Sequence, residues 1–133
     1  MSWRDWGHWG LGFIAGSVLA SYVTLSCAPT RAQSAEVAYA LDHAAAEYGV
    51  APRCLWNIAR RESRFLPWVD NYQGSGARGL FQFKDGTWRF MSWAAGYGGA
   101  SVYNAWAAAH VASWAISHPY ESQGGLRHWG GRC

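Results

Sequence analysis

Apolar positions along the chain change their rhythm once. From Leu11 to Ser26 nearly every residue is apolar or small, and no Asp, Glu, Lys or Arg occurs between Gly7 and Thr30. Beyond Ala32 the pattern turns amphipathic. Val37, Ala40, Leu41, Ala44 and Tyr48 recur at helical spacing, which predicts a helix with one buried face. Ser34 is its expected cap, with Glu36 in the first turn. Gly49 closes that helix, and Pro52 suits the first position of the next. The second helix carries Leu55, Ile58 and Ala59 on one face and Arg60, Arg61 and Arg64 mostly on the other, and Phe65-Leu66-Pro67 ends it. Helical rhythm then breaks. Gly74, Gly76 and Gly79, interleaved with Asn71 and Ser75, demand turns and predict a small hairpin or mini-sheet before Phe83. Asp85 is expected to cap a short helix bearing Trp88, Met91 and Trp93. Gly96-Tyr97-Gly98-Gly99 leads to a helix from about Tyr103 to Ser117, whose Ala108, Val111, Ala112, Ala115 and Ile116 form the buried stripe. A tail with Gly124-Gly125 and His128-Trp129 follows. No internal repeat is present, so the pattern predicts one mainly α domain (α+β, with a minimal β element) over residues 33–133.

The apolar run is of a length that suits the core of a secretory signal, with Arg4 before it and the small-residue stretch Cys27–Ala32 after it. Extended back to Trp6 or Trp9, with those rings at the interface, it would instead be a retained membrane anchor. Residues 1–32 are therefore expected to be a signal peptide or anchor, with membrane contact through residues 7–30 if the segment is kept. Export fits the cysteines. Cys27 lies at the end of the apolar segment, leaving Cys54 and Cys133 to pair in an oxidising compartment and close a loop of about 80 residues.

Composition narrows the chemistry. Half of the residues are apolar and 10 are Trp, which excludes a disordered chain. The net charge of +3 comes almost wholly from Arg, since Lys84 is the one lysine; it is too small to imply nucleic acid, and no basic run or nucleic-acid motif occurs. The five histidines show no metal-ligand spacing: His110 and His118 are eight apart, and His-Glu-x-x-His is absent. Neither a nucleophile elbow nor a phosphate-cradling glycine loop is found. No cofactor is expected. With 8 carboxylates in the chain, acid–base work falls to very few groups.

Glu62 stands out among them. Leu55, Ile58 or Ala59, and Glu62 share one helical face, so this acid lies toward the apolar side of its own helix. Desolvation there raises a carboxyl pKa and keeps a proton available for general-acid catalysis. A salt bridge to Arg61 or Arg64, placing Glu62 at the rim, is the structural alternative.

The surrounding residues add a resemblance. Arg61-Glu62-Ser63-Arg64-Phe65, then Gly79-Leu80-Phe81-Gln82-Phe83, then Thr87-Trp88 resemble the goose-lysozyme and lytic-transglycosylase superfamily, as does Tyr48-Gly49-Val50-x-Pro52 leading into the glutamate helix. The resemblance covers roughly residues 35–133, and its alanine-rich helix followed by Gly124-Gly125 and His128-Trp129 looks like the short actinobacterial and phage members. An Ala-Tyr-Asn-x-Gly motif of longer members is absent, with Val102-Tyr103-Asn104-Ala105 a superficial echo. The resemblance implies a lysozyme-like fold and cleavage of the MurNAc–GlcNAc β-1,4 bond of peptidoglycan by an exported, monomeric domain. Glu62 would be the single acid and base, closing a 1,6-anhydro ring on the muramyl unit. A hydrolase would need a second carboxylate, Asp70 or Asp85, which otherwise read as a turn residue and a helix cap. A non-catalytic wall-binding or phage-particle protein with the same fold is the third possibility. The resemblance implies Ser63 and Gln82 as substrate-binding residues; Phe83, Tyr72, Tyr97, Tyr103 and Trp129 are candidate sugar-stacking rings, with core packing the favoured reading for most of them. Gln82, between Phe81 and Phe83 in an expected strand, would point away from both; Gly79 would serve hairpin geometry. Trp56, Trp88 and Trp114 are expected in the core.

Overall fold

A computed structural model describes residues 28–71 and 74–133, so the apolar segment before residue 28, Cys27, and Tyr72 lie outside the described residues. Arg31–Cys133 form one compact unit. Among the described residues no helix is long and apolar enough to cross a membrane.

Among the described residues four helices carry the fold: α1 (Arg31–Tyr48), α2 (Pro52–Ser63), α3 (Asp85–Ala94) and α4 (Ala105–Ser117), followed by a 3₁₀ turn, Gly125–Trp129. In α1 the buried residues are Val37, Ala40, Leu41 and Ala44 of the expected stripe together with Ala45, while Tyr48 is half-buried. The helix begins at Arg31, so Ser34 is inside it rather than at its cap, and Glu36 lies beyond the first turn. Its apolar face packs against α4. Gly49, at φ +65°, takes the left-handed conformation that releases the chain toward Pro52.

Helix α4 is the centre of the core. Every residue from Ala107 to Ala115 is buried, His110 and Ser113 included, so it is enclosed all round rather than along one stripe. Alanine at Ala107, Ala108, Ala109, Ala112 and Ala115 lets neighbouring backbones approach closely. Its start is set by Asn104, whose side-chain oxygen accepts from the Ala107 amide at 3.0 Å. Against this helix pack α1, α2, α3 and the 3₁₀ turn.

In α3, Met91 is buried as expected, but Trp93 is 69% exposed. Its ring lies over Gly98, where an added Cβ would come within 2.3 Å of it. Asp85 is the first residue of this helix; Lys84 holds the cap position, with no side-chain cap bond.

The expected mini-sheet reduces to two isolated antiparallel bridges among the described residues, Asp70 with Arg78 and Arg78 with Phe83. The architecture is therefore mainly helical, with hardly any strand. Cys54 and Cys133 are joined by a disulfide that ties α2 to the chain beyond the 3₁₀ turn.

Candidate active site at the end of α2

Glu62 is the next-to-last residue of α2 and is half-buried. Burial pushes its carboxyl above the ordinary glutamate range, and the nearby Arg61 charge offsets only part of that rise. The salt-bridge alternative does not describe it. Arg61 spends its guanidinium on backbone carbonyls, donating from Nη2 to Arg132 O at 3.0 Å and from Nη1 to Cys133 O at 3.3 Å. The ion pairs among the described residues involve other groups.

Directly after Glu62 the chain makes an unusual exit. Arg64 and Phe65 both adopt positive φ, 54° and 64°, and their amides return to Arg60 O and Ala59 O. Left-handed conformation at a bulky residue such as Phe65 is uncommon and must be held by its surroundings. Here Phe65 packs edge-on against Trp56, ring centres 5.4 Å apart. Trp56 is in turn anchored to α1 by donating from Nε1 to Asp42 Oδ1 at 2.7 Å. Sequence reading sees the helix end at Phe65-Leu66-Pro67 but not its left-handed geometry, because neither residue is Gly or Asn.

Ser63 is buried, and its hydroxyl lies 2.8 Å from Leu80 O and 3.0 Å from Ala59 O. Its hydrogen bonding is thus used inside the protein. Ser63 couples the end of the glutamate helix to the turn Gly79–Gln82, and this positioning role fits its environment better than direct contact with substrate.

That turn replaces the expected strand. Arg78 and Phe83 exchange both backbone hydrogen bonds at 3.0 Å, and Gln82 N reaches back to Gly79 O at 3.2 Å. Gln82 has φ +55°, so the alternation that would set it opposite Phe81 and Phe83 does not apply. Its Nε2 donates to Val69 O and Gly79 O, each at 3.0 Å, which fixes the amide and leaves Oε1 as the atom it can offer a ligand. Gly79 is required here. At φ +77°, a Cβ would sit 2.5 Å from Val102 O. Gly79→Ala should therefore cost about 2–4 kcal/mol, combining left-handed strain with displacement of the Val102 backbone. Gly76→Ala, at φ +66° with open space around it, should lose only about 1–2 kcal/mol. Urea unfolding of the two variants checks the difference.

Phe83 and Trp129 are buried, at 3% and 7% exposure, and so are largely core residues rather than open sugar platforms. Trp129 Nε1 donates to Phe81 O at 2.9 Å and its ring meets Phe81 and Phe83, which docks the 3₁₀ turn onto the Gly79–Gln82 turn. Their edges nonetheless reach a cleft of about 250 Å³ lined by Gln82, Phe83, Lys84, Thr87, His128 and Trp129. Three of the sequence-predicted residues are thus brought together, joined by Thr87 and His128 of the motifs quoted above and by Lys84, which had no earlier signal.

Tyr103 is placed elsewhere. It donates its phenolic proton to Asp70 Oδ1 at 2.5 Å, joining the segment before α4 to the first bridge. Asp85 faces Arg78 Nε at 3.7 Å on a second cleft of about 330 Å³. Both candidates for a second carboxylate therefore have donors of their own. Trp93, expected on this helix, lines that second cleft with an exposed indole suited to stacking on a sugar ring.

The sequence matches the family model of the transglycosylase SLT domain over residues 40–130. The chain belongs to this family. The matched segment contains α2, the Gly79–Gln82 turn, α3 and α4. No curated protein and no solved structure matches the chain. Transglycosylase SLT domains act as glycosidic-bond-cleaving enzymes of the lytic-transglycosylase type, and peptidoglycan is the substrate class.

Proposed function

We propose that this SLT domain cleaves the MurNAc–GlcNAc β-1,4 bond with Glu62 as its one catalytic carboxyl. The observation that carries the proposal is the half-buried place of Glu62 at the end of α2, where among the described residues it has no ion pair and burial favours its protonated form. A protonated Glu62 delivers its proton to the glycosidic oxygen as the C1–O bond breaks, releasing the GlcNAc C4 hydroxyl. Glu62, now ionised, takes the proton of the muramyl C6 hydroxyl while that oxygen bonds to C1. The product is a 1,6-anhydromuramyl end, no water is consumed, and Glu62 regains its proton. One group serves both steps, so the engagement of Asp70 by Tyr103 and of Asp85 by Arg78 is no obstacle.

In this reading Gln82 Oε1 and the cleft beside Lys84, Thr87 and His128 receive polar groups of the glycan, and Ser63 holds the turn against the helix that carries the acid. The domain works outside the cytoplasmic membrane, where its polymer lies and where a Cys54–Cys133 disulfide persists. Residues 7–30 serve as its leader or anchor. Release of soluble fragments from purified peptidoglycan tests the proposal: wild-type protein releases them and Glu62→Gln does not. Release by neither protein would point instead to a wall-binding protein.

A further inference from the structure

Away from Glu62, α1 and α4 bring together three side chains that spacing along the chain does not connect. His43 and Glu47 are one turn apart on α1, and His110 faces them from the centre of α4. His43 Nδ1 lies 3.0 Å from His110 Nε2 and 3.5 Å from Glu47 Oε2; the third edge, His110 Nε2 to Glu47 Oε2, is 3.2 Å. His110 is completely buried, and its other nitrogen, Nδ1, is 2.7 Å from Trp106 O. A carbonyl oxygen can only accept, so Nδ1 carries the proton. In the neutral ring Nε2 is then a lone pair aimed at His43 and Glu47. The Glu47 carboxylate oxygen, 3.2 Å from Nε2, is a second electron-pair donor converging on the same point, where both could meet a cation.

We propose that His43, Glu47 and His110 bind a divalent transition-metal ion of the Zn²⁺ class. The three edges fit such an ion. Ligand bonds of about 2.0–2.1 Å in a tetrahedron place neighbouring ligand atoms about 3.3 Å apart. Two imidazoles and one carboxylate suit a borderline cation, with the fourth position left to water. The Trp106 carbonyl is the kind of outer partner that fixes a ligating histidine's tautomer and orientation. Trp106 also covers the cluster, its ring centre 4.2 Å from that of His110 and 4.6 Å from that of His43. The ion would clamp α1 to α4, the most extensive helix pairing in the fold.

Co²⁺ added to the metal-free full chain tests this, because tetrahedral Co²⁺ absorbs far more strongly in the visible than six-coordinate Co²⁺. The expected result is one strongly absorbing Co²⁺ per chain, displaced by Zn²⁺. His43→Ala and Glu47→Gln change the accessible side of the cluster and leave the buried His110 in place; each should weaken binding at least about tenfold with an unaltered circular dichroism spectrum. Absence of the strong band in wild-type protein would overturn the proposal. So would a band that persists with equal affinity in both variants, which would put the ion on other histidines.

Discussion

Glu62→Gln should fold normally and lose turnover on peptidoglycan by about a thousandfold or more, the scale of a missing general acid compounded by loss of the base in the second step. Glutamine keeps the shape and hydrogen-bonding capacity of the side chain and removes only its proton chemistry. The pH dependence follows from the direction of the Glu62 shift. Its folded pKa is raised, so between the unfolded and folded values the native state holds a proton that the unfolded state has released. Stability therefore falls as pH rises through that window, and ionised Glu62 is a liability above it. Glu62→Gln should accordingly be more stable than wild type at neutral pH, with the advantage shrinking as pH falls through the folded pKa. The alkaline limb of the wild-type rate profile should lie above the ordinary glutamate range, since the first step needs the protonated form. Loss of activity together with a gain in stability is what a catalytic acid held at a desolvated site produces. Rates at several pH values, paired with urea unfolding at the same values, check both.

Cys54→Ser should lower stability by about 4 kcal/mol, since the bond closes a long loop, with 79 positions separating its cysteines, and removing it restores chain entropy to the unfolded state. For a domain near 100 residues that corresponds to a fall on the order of 20 °C in the unfolding midpoint. The effect should be nearly the same for Cys133→Ser and for the reduced wild-type protein. Chain entropy is not the whole attachment. Asn57 Nδ2 also donates to Cys133 O at 3.1 Å, and Arg61 holds Arg132 and Cys133, so the segment after the 3₁₀ turn stays docked on α2 while the domain is folded. Turnover measured well below both midpoints should therefore survive the substitution. Thermal unfolding with and without reductant reads the shift.

Helices were legible in the sequence because each carries its own apolar face: Val37, Ala40, Leu41 and Ala44 in α1, and Leu55, Ile58 and Ala59 in α2, are buried as their spacing implies. Glu62 was legible for the same reason, since its position relative to that face is a local property of α2. Features that depend on distant partners were not. Gln82 reads as part of a strand because flanking Phe81 and Phe83 mimic alternation, whereas the turn is created by hydrogen bonds to Val69 and Gly79. Phe83 and Trp129 are aromatic enough for sugar platforms as well as for the core, and it is the docking of the 3₁₀ turn that buries them. Trp93 sits at an apolar-looking position in α3, yet Gly98 gives its ring a surface to lie on in the open. The His43–Glu47–His110 cluster is hidden for a similar reason. Its third member comes from another helix 63 positions after Glu47, and the local signal was a single His–Glu pair one turn apart.

Digestion of purified peptidoglycan in heavy-oxygen water, followed by mass spectrometry of the muramyl ends, tests the one-carboxyl mechanism most directly. The expected ends are lighter by one water than reducing ends, free of the heavy isotope, and absent from the Glu62→Gln digest. Reducing muramyl ends carrying heavy oxygen would contradict it, because a water molecule would then have taken the place assigned to the C6 hydroxyl.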